Sequence, residues 1–348
     1  MPKKEVISDM EMLSIFITFL FVLLVAGIFK FAGRHFKIPD VVASILAGIV
    51  IGLPAIKRII IEPNTDLVFI VGDVGLFALM FLAGLETSWR MLYREKKDAT
   101  VIALFGALFP FFTASWIFYL LGFSLSNSLI VGICISVTAE ATKARVLLDL
   151  KKLRTKLGAA MMGAGVVDDT LGLLSFIAVS LFLGQAELRE DLLAIGAILS
   201  FFVGIILQCV LGRQRPAIKN LEKILLLLII PFFFVSLGIH FDINSLMLSP
   251  WVLLGVLILA VSGKLIGVFL TRPLTKFSWK QLYVVGWAMN SRGAVGMALA
   301  LMAYRTGLIN IELYSSLVIT ALVSTLAFPF IITSVIKKDP LLMGEDSV

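Results

Sequence analysis

Along its whole length the sequence keeps returning to apolar runs of about 20 residues, the length a helix needs to cross roughly 30 Å of hydrocarbon. They fall near 11–32, 40–61, 67–89, 98–122, 127–149, 157–184, 191–211, 221–240, 250–271, 281–304 and 312–336, and are called spans 1 to 11 in that order. Composition agrees: 59% of the 348 residues are hydrophobic and 15% charged, with a mean hydropathy of +1.03, far from ordinary soluble domains. The expected fold is an all-α polytopic membrane protein. Span 1 is followed by "AGRHFK" rather than a small-residue cleavage site, so it reads as a helix and not a signal peptide. Cys134 and Cys209 lie within spans and show no metal-ligand spacing.

The net charge of +7 raises the question of a nucleic-acid partner, and the placement of the basic residues answers it. Twenty-two of the 30 Lys and Arg fall in loops 1–2, 3–4, 5–6, 7–8 and 9–10 and in the C-terminal tail; six fall in the N-terminus and the other loops. By the positive-inside rule the N-terminus lies outside and the C-terminus in the cytoplasm. The basic excess reports topology, and no nucleic-acid partner is expected. Only a short polar tail follows "VIKKDP", so no cytoplasmic regulatory domain is expected in this chain.

Span 3 ends "LFALMFLAGLET" and span 8 ends "IIPFFFVSLGIHFD", each with a Phe-rich run, a small-residue kink and an acidic exit. If they are counterparts, spans 4–6 pair with spans 9–11, and the odd number of helices between the units inverts the second. Inverted-topology repeats are the usual plan of secondary transporters, with the binding site at the repeat interface near the midplane.

The intramembrane charges sit where such a site belongs. Span 6 carries Asp168 and Asp169 in "GAGVVDDTLGLLSF", span 9 Lys264 in "AVSGKLIGVF", span 5 Glu140 and Lys143 in "SVTAEATKAR", and span 10 Arg292 in "MNSRGAVGM". Each unpaired charge near the bilayer centre costs at least ~2.5–3.5 kcal/mol, so they demand partners. Adjacent helical residues point about 100° apart, so one aspartate can neutralise a lysine while the other faces a cavity. Lys264, between Gly263 and the close-packing Gly267, is the natural mate. A plainer reading is a purely structural Asp–Lys pair.

Spans 5 and 10 look breakable at mid-membrane: Ser136, Thr138 and Thr142 offer hydroxyls in one, Asn290 and Ser291 sit beside glycines in the other. There Glu140 would compensate half-helix N-termini and Arg292 the C-termini, with Ser136, Asn290 and Ser291 as candidate ligands. The alternative is continuous helices whose hydroxyls bond back to their own carbonyls. Lys143 is expected to snorkel at the cytoplasmic end, His35 and His240 to lie at the surface, and Glu86 and Asp242 at the interface. Asp73 either lines the cavity or helps begin its helix. The glycines of "FLAGLE" and "GIVIG" are expected to serve close helix packing.

The segments "FLAGLET", "SVTAEATKARVLLDLKKLRTKLGAAMMGAGVVDDTLGL", "PFFFVSLGIHFD", "SGKLIGV" and "MNSRGAVGM", in that order, resemble the monovalent cation:proton antiporter superfamily, in its sodium/proton and Kef-like branch. The resemblance implies a homodimer in the plasma membrane. Each protomer would have a core of six helices, two of them crossed and broken, and a dimerisation scaffold. It divides the chain into scaffold 1–97, core 98–184, linker 185–220, scaffold 221–248, core 249–338 and tail 339–348. It implies that Asp169 is the ion- and proton-binding carboxylate, that Asp168 pairs with Lys264, and that Thr138 at the span-5 break supplies an ion ligand. The Asp–Asp form with a lysine resembles the electrogenic members. Two departures stand out. The family's two additional helices between spans 7 and 8 are missing, and Ala294 follows the Arg-Gly of span 10 where an acid is usual, while Glu140 and Lys143 replace apolar or hydroxylic residues.

These readings converge on exchange of a monovalent cation, Na⁺ first, for protons by alternating access, with no enzyme activity and no cofactor. Asp169 would hold a proton or a dehydrated cation, Thr138 and loosened backbone completing the oxygen shell. An intramembrane aspartyl protease needs its two acids on facing helices, which adjacency on one helix contradicts. A Kef-type K⁺/H⁺ exchanger, a sodium-coupled organic-anion symporter and a channel remain as rivals.

Overall fold

Lipid cannot hydrogen-bond a bare backbone, so a chain this apolar has to satisfy its amides within helices. The computed structural model describes residues 9–36, 38–86, 96–138, 140–153, 155–183, 188–211 and 216–343. Among the described residues no β-strand occurs. The principal helices are α1 (Asp9–His35), α2 (Asp40–Ile51), α3 (Thr65–Glu86), α4 (Lys96–Leu120), α5 (Leu125–Ser136), α6 (Glu140–Asp149) and α7 (Lys156–Leu183). They continue with α8 (Leu188–Leu211), α9 (Pro216–Ile239, π-helical over Leu225–Ile229), α10 (Ile243–Leu248), α11 (Pro250–Phe269), α12 (Trp279–Ala288), α13 (Ala294–Arg305) and α14 (Ile311–Lys338). Among the described residues seven stretches are long and apolar enough to cross a membrane, and four further apolar helices are shorter.

One expected helix stops early, and two are interrupted. Span 2 ends at Ile51 rather than 61: Gly52 abuts the Ile239 backbone, and Pro54 opens a new turn whose π and 3₁₀ stretches lead into α3. Spans 5 and 10 are each interrupted, between α5 and α6 and between α12 and α13.

The helices pack as two bodies. In one, α2 and α3 flank α9, α1 covers α2, and α8 lies along α3. In the other, α4 packs on α5, α7 and α11, while α14 lies against α11 and α12. Within the segment read as a linker, α8 packs along α3. Glycines set the closest crossings: a Cβ at Gly84 of "FLAGLE" would strike the Phe201 carbonyl, one at Gly204 the Phe81 carbonyl, and one at Gly48 of "GIVIG" the Val235 carbonyl. Small residues of this kind let membrane helices associate by van der Waals contact. The outer side of α1 exposes Leu13, Phe16, Leu20, Leu24 and Phe31, a face only lipid or another apolar surface can cover.

One buried cluster holds the first body together through Val22, Ala47, Val68 and Phe232. A second holds the other body through Ile102, Leu157, Val285 and Phe328. The bodies meet where α13 approaches α3 and α8 and α14 approaches α2, and a third buried cluster runs across both, from Ile45 and Phe233 to Ile130 and Tyr314.

Candidate functional site

The two interruptions are brought together inside the second body. Beyond Ser136 the chain turns extended at Val137 (φ −78°, ψ 144°), and beyond Ala288 it runs without helix until Gly293, also extended (φ −120°, ψ −168°). A helix that stops in the membrane leaves carbonyls without donors. Arg292 supplies them: its guanidinium donates to the carbonyl of Ile135, in the last turn of α5, and to that of Ala260 on α11 at 2.7 Å. A cation at a helix C-terminus also meets the negative end of the macrodipole. Thr325 of α14 donates to the Arg292 carbonyl and anchors the break from the other side. The backbone of Glu140 opens α6, but its side chain lies outside the described residues.

Across the junction, α7 and α11 contribute a charge pair. Lys264 Nζ lies 2.9 Å from Asp168 Oδ2 and 2.9 Å from Thr138 Oγ1, with both charged side chains fully buried. Gly263 and Gly267 let α4 come close to α11, a Cβ at Gly263 meeting Pro110 at 2.9 Å. The Thr138 hydroxyl also reaches Asp168 and, at 3.1 Å, the Met289 carbonyl. It has one proton to donate, so it serves one acceptor at a time while accepting from Lys264. Asp168 Oδ1 is buried with no hydrogen-bond partner among the described residues.

Thr138, Asp168 and Lys264 therefore form one hydrogen-bonded cluster at the interrupted helices. Asp169 is buried beside it, 6% exposed, turned by about 100° around α7. The hydroxyl expected to complete a shell around Asp169 lies instead on Asp168 and the Met289 carbonyl. Ser136 gives its proton to Ile133 in its own helix at 2.8 Å. Asn290 ties the second break to Gly286 (3.1 Å) and Val261 (3.3 Å) through Nδ2, and Ser291 is fully buried in the same break.

Three side chains sit differently from their sequence expectations. Lys143 does not snorkel: it is fully buried, with Nζ 3.3 Å from the Met161 carbonyl and 3.7 Å from Met289 Sδ. The break before Glu140 turns α6 inward, so a residue near the end of an apolar run becomes interior. Asp73 lies within α3 and forms an ion pair with Arg305, at the end of α13; both are 14% exposed. The Arg305 guanidinium also sits 5.7 Å from the Phe69 ring. Sequence reading missed Arg305 because it follows its apolar run, but a lone Asp73 within a span was already a signal that a cation had to be found. His240 is not at the surface: its ring packs 4.5 Å from Phe69 and its Nδ1 lies 2.7 Å from the Ser236 carbonyl.

This arrangement of interrupted helices around a buried acid–lysine pair can be set against known proteins. The fold is similar to that of the sodium proton antiporter MjNhaP1 from Methanocaldococcus jannaschii, with a TM-score of 0.69 over 96% of this chain and 99% of that one at 19% identity. The sequence is 28% identical to a Na(+)/H(+) antiporter of Enterococcus hirae over 88% of this chain and 94% of that protein. It is 25% identical to the Na(+)/H(+)-K(+) antiporter GerN of Bacillus cereus, over 84% and 88% respectively. A family model described as sodium/hydrogen exchanger, transmembrane, matches residues 17–214 and 196–338, and the chain belongs to that family.

Proposed function

We propose that the chain is a secondary antiporter that exchanges Na⁺ for protons across the plasma membrane by alternating access. The single observation that carries this reading is the buried Lys264–Asp168–Thr138 cluster at two interrupted helices, in a member of the exchanger family. Asp169 is the exchange group: protonated, it is neutral; losing that proton, it accepts a cation with oxygen ligands around it. One carboxylate cannot hold both, and that exclusion couples the two flows. When the cation arrives, it competes for Asp168, and Lys264 releases a second proton, which makes the cycle electrogenic.

In this reading eleven spans place the N-terminus outside and the C-terminus in the cytoplasm, and spans 4–6 and 9–11 are inverted counterparts forming the moving core. The first body is the scaffold and carries the homodimer contact. The Asp73–Arg305 pair joins scaffold helix α3 to core helix α13, so it has to part when the core moves. The B. cereus relative is named for potassium as well as sodium, which favours K⁺ as the second ion to test. The experiment is dissipation of a pH gradient in proteoliposomes on adding Na⁺, Li⁺ or K⁺, with and without a membrane potential. Sodium-dependent proton efflux that a potential accelerates is expected. Sodium uptake that requires an organic solute would replace this reading with a symporter.

A further inference from the structure

At the far end of the core from the Asp73–Arg305 contact, the ends of α11, α12 and α14 leave a cleft of about 450 Å³ that plays no part in ion binding. Phe269, Trp279, Tyr283, Val335 and Leu342 line it together with Lys280, Lys338 and Asp339. The wall is aromatic where it is exposed: Trp279 is 60% and Tyr283 40% accessible, and the Trp279 ring meets Phe269 edge-on at 5.9 Å. Tryptophan and tyrosine concentrate at the level of lipid headgroups. On the orientation proposed above, this end is cytoplasmic.

We propose that this cleft is a binding site for one anionic phospholipid, its acyl chain against the aromatic wall and its headgroup phosphate between Lys280 and Lys338. Charge complementarity selects the occupant. Besides the two lining lysines, Arg272 and Lys276 lie in the loop that leads into Trp279, and Lys337 precedes Lys338; the one acid in the lining is Asp339. Basic pockets between membrane helices on the cytoplasmic side take anionic headgroups, and each lysine near the surface contributes about fivefold in affinity. The apolar wall excludes a free phosphate ion as the natural ligand, because it offers such an ion nothing.

The position gives the site a consequence. The cleft wraps the start of α12, whose other end is the interruption at 289–293, and the end of α11, five residues beyond Lys264. A lipid wedged there braces α11, which carries Lys264, and α12, which leads into the second interruption. We therefore expect faster exchange in bilayers containing anionic lipid than in purely zwitterionic ones.

Trp279, one of five tryptophans, supplies a readout that does not depend on transport. The full chain is reconstituted with a brominated anionic phospholipid or with brominated phosphatidylcholine at equal mole fraction, and the Trp279 component is isolated by difference from Trp279→Phe. Stronger quenching by the anionic lipid is expected, reduced about fivefold in affinity by Lys280→Gln or Lys338→Gln and abolished by the pair. Equal quenching by both lipids would overturn the proposal. So would a preference that emerges only after removal of residues 344–348, since that would make the acidic tail "GEDSV" the occupant. Lys280→Arg keeps the charge and should keep the preference, which separates loss of the headgroup contact from misfolding. If the preference is present but no proton exchange occurs, the transport reading fails and the lipid site stands.

Discussion

Two ion pairs among the described residues, Asp168–Lys264 and Asp73–Arg305, differ in what lies on either side. Asp168–Lys264 joins α7 to α11 within one body, fully buried and shared with a threonine hydroxyl. Asp73–Arg305 joins α3 of one body to α13 of the other and is 14% exposed on each side chain. A pair inside a rigid unit can respond to an ion without moving the unit. One across the joint cannot survive a movement of the bodies. On the cycle proposed above the first belongs to chemistry and the second to motion, and substitutions should separate them.

The largest effect on stability is expected at the inner pair. Lys264→Ala leaves the Asp168 carboxylate buried without its cation, a change worth about 3–5 kcal/mol. The Asp168→Ala/Lys264→Ala double variant should be less destabilised than the single one, because no bare charge is left. Unfolding in mixed detergent micelles measures both; equal losses would mean that the two side chains do not share their energy.

At the joint, the expected signature is kinetic as well as structural. Asp73→Asn leaves Arg305, 14% exposed, without its counter-charge, so it should lose stability, though less than the fully buried pair does, and change the exchange rate several-fold, since only one of the two end states keeps the contact. Joining Asp73→Cys and Arg305→Cys with a short bifunctional methanethiosulfonate reagent should halt exchange, and reduction should restore it. Unchanged transport in the cross-linked form would place the bodies' movement elsewhere.

The smallest effect belongs to the hydroxyl the two interruptions share. Thr138→Val removes hydrogen bonds worth about 1 kcal/mol net, so sodium affinity should fall about fivefold. Thr138→Ser should retain it. Half-maximal sodium concentration for proton release is the measurement, and equal behaviour of the two variants would remove Thr138 from the site.

Much of this was legible before any coordinates. Lys264 needed one of the two adjacent aspartates as a mate, the family resemblance pointed to Asp168, and those side chains lie 2.9 Å apart. "VTAE" and "NSRG" are poor continuous helix at mid-membrane, and the chain leaves its helices at 137–138 and 289–293. The residues misjudged share one cause. Lys143, Arg305 and His240 all stand near the ends of apolar runs, where sequence distance suggests water. Whether an end faces solvent or a neighbouring helix is decided by the bend before it and the packing beyond it: the break ahead of α6 turns Lys143 inward, and α3 covers Arg305 and His240 through Asp73 and Phe69. Thr138 shows the same limit at finer scale. The sequence brings it to the break but does not decide which carboxylate it serves.

The division of labour between the adjacent acids is tested by solid-supported-membrane currents from Asp168→Asn and Asp169→Asn reconstituted side by side under a sodium gradient. Asp169→Asn should give no sodium-driven proton movement, while Asp168→Asn, its lysine no longer releasing a proton, should still exchange but without net charge transfer. Full proton-coupled sodium transport by Asp169→Asn would contradict the mechanism at its root.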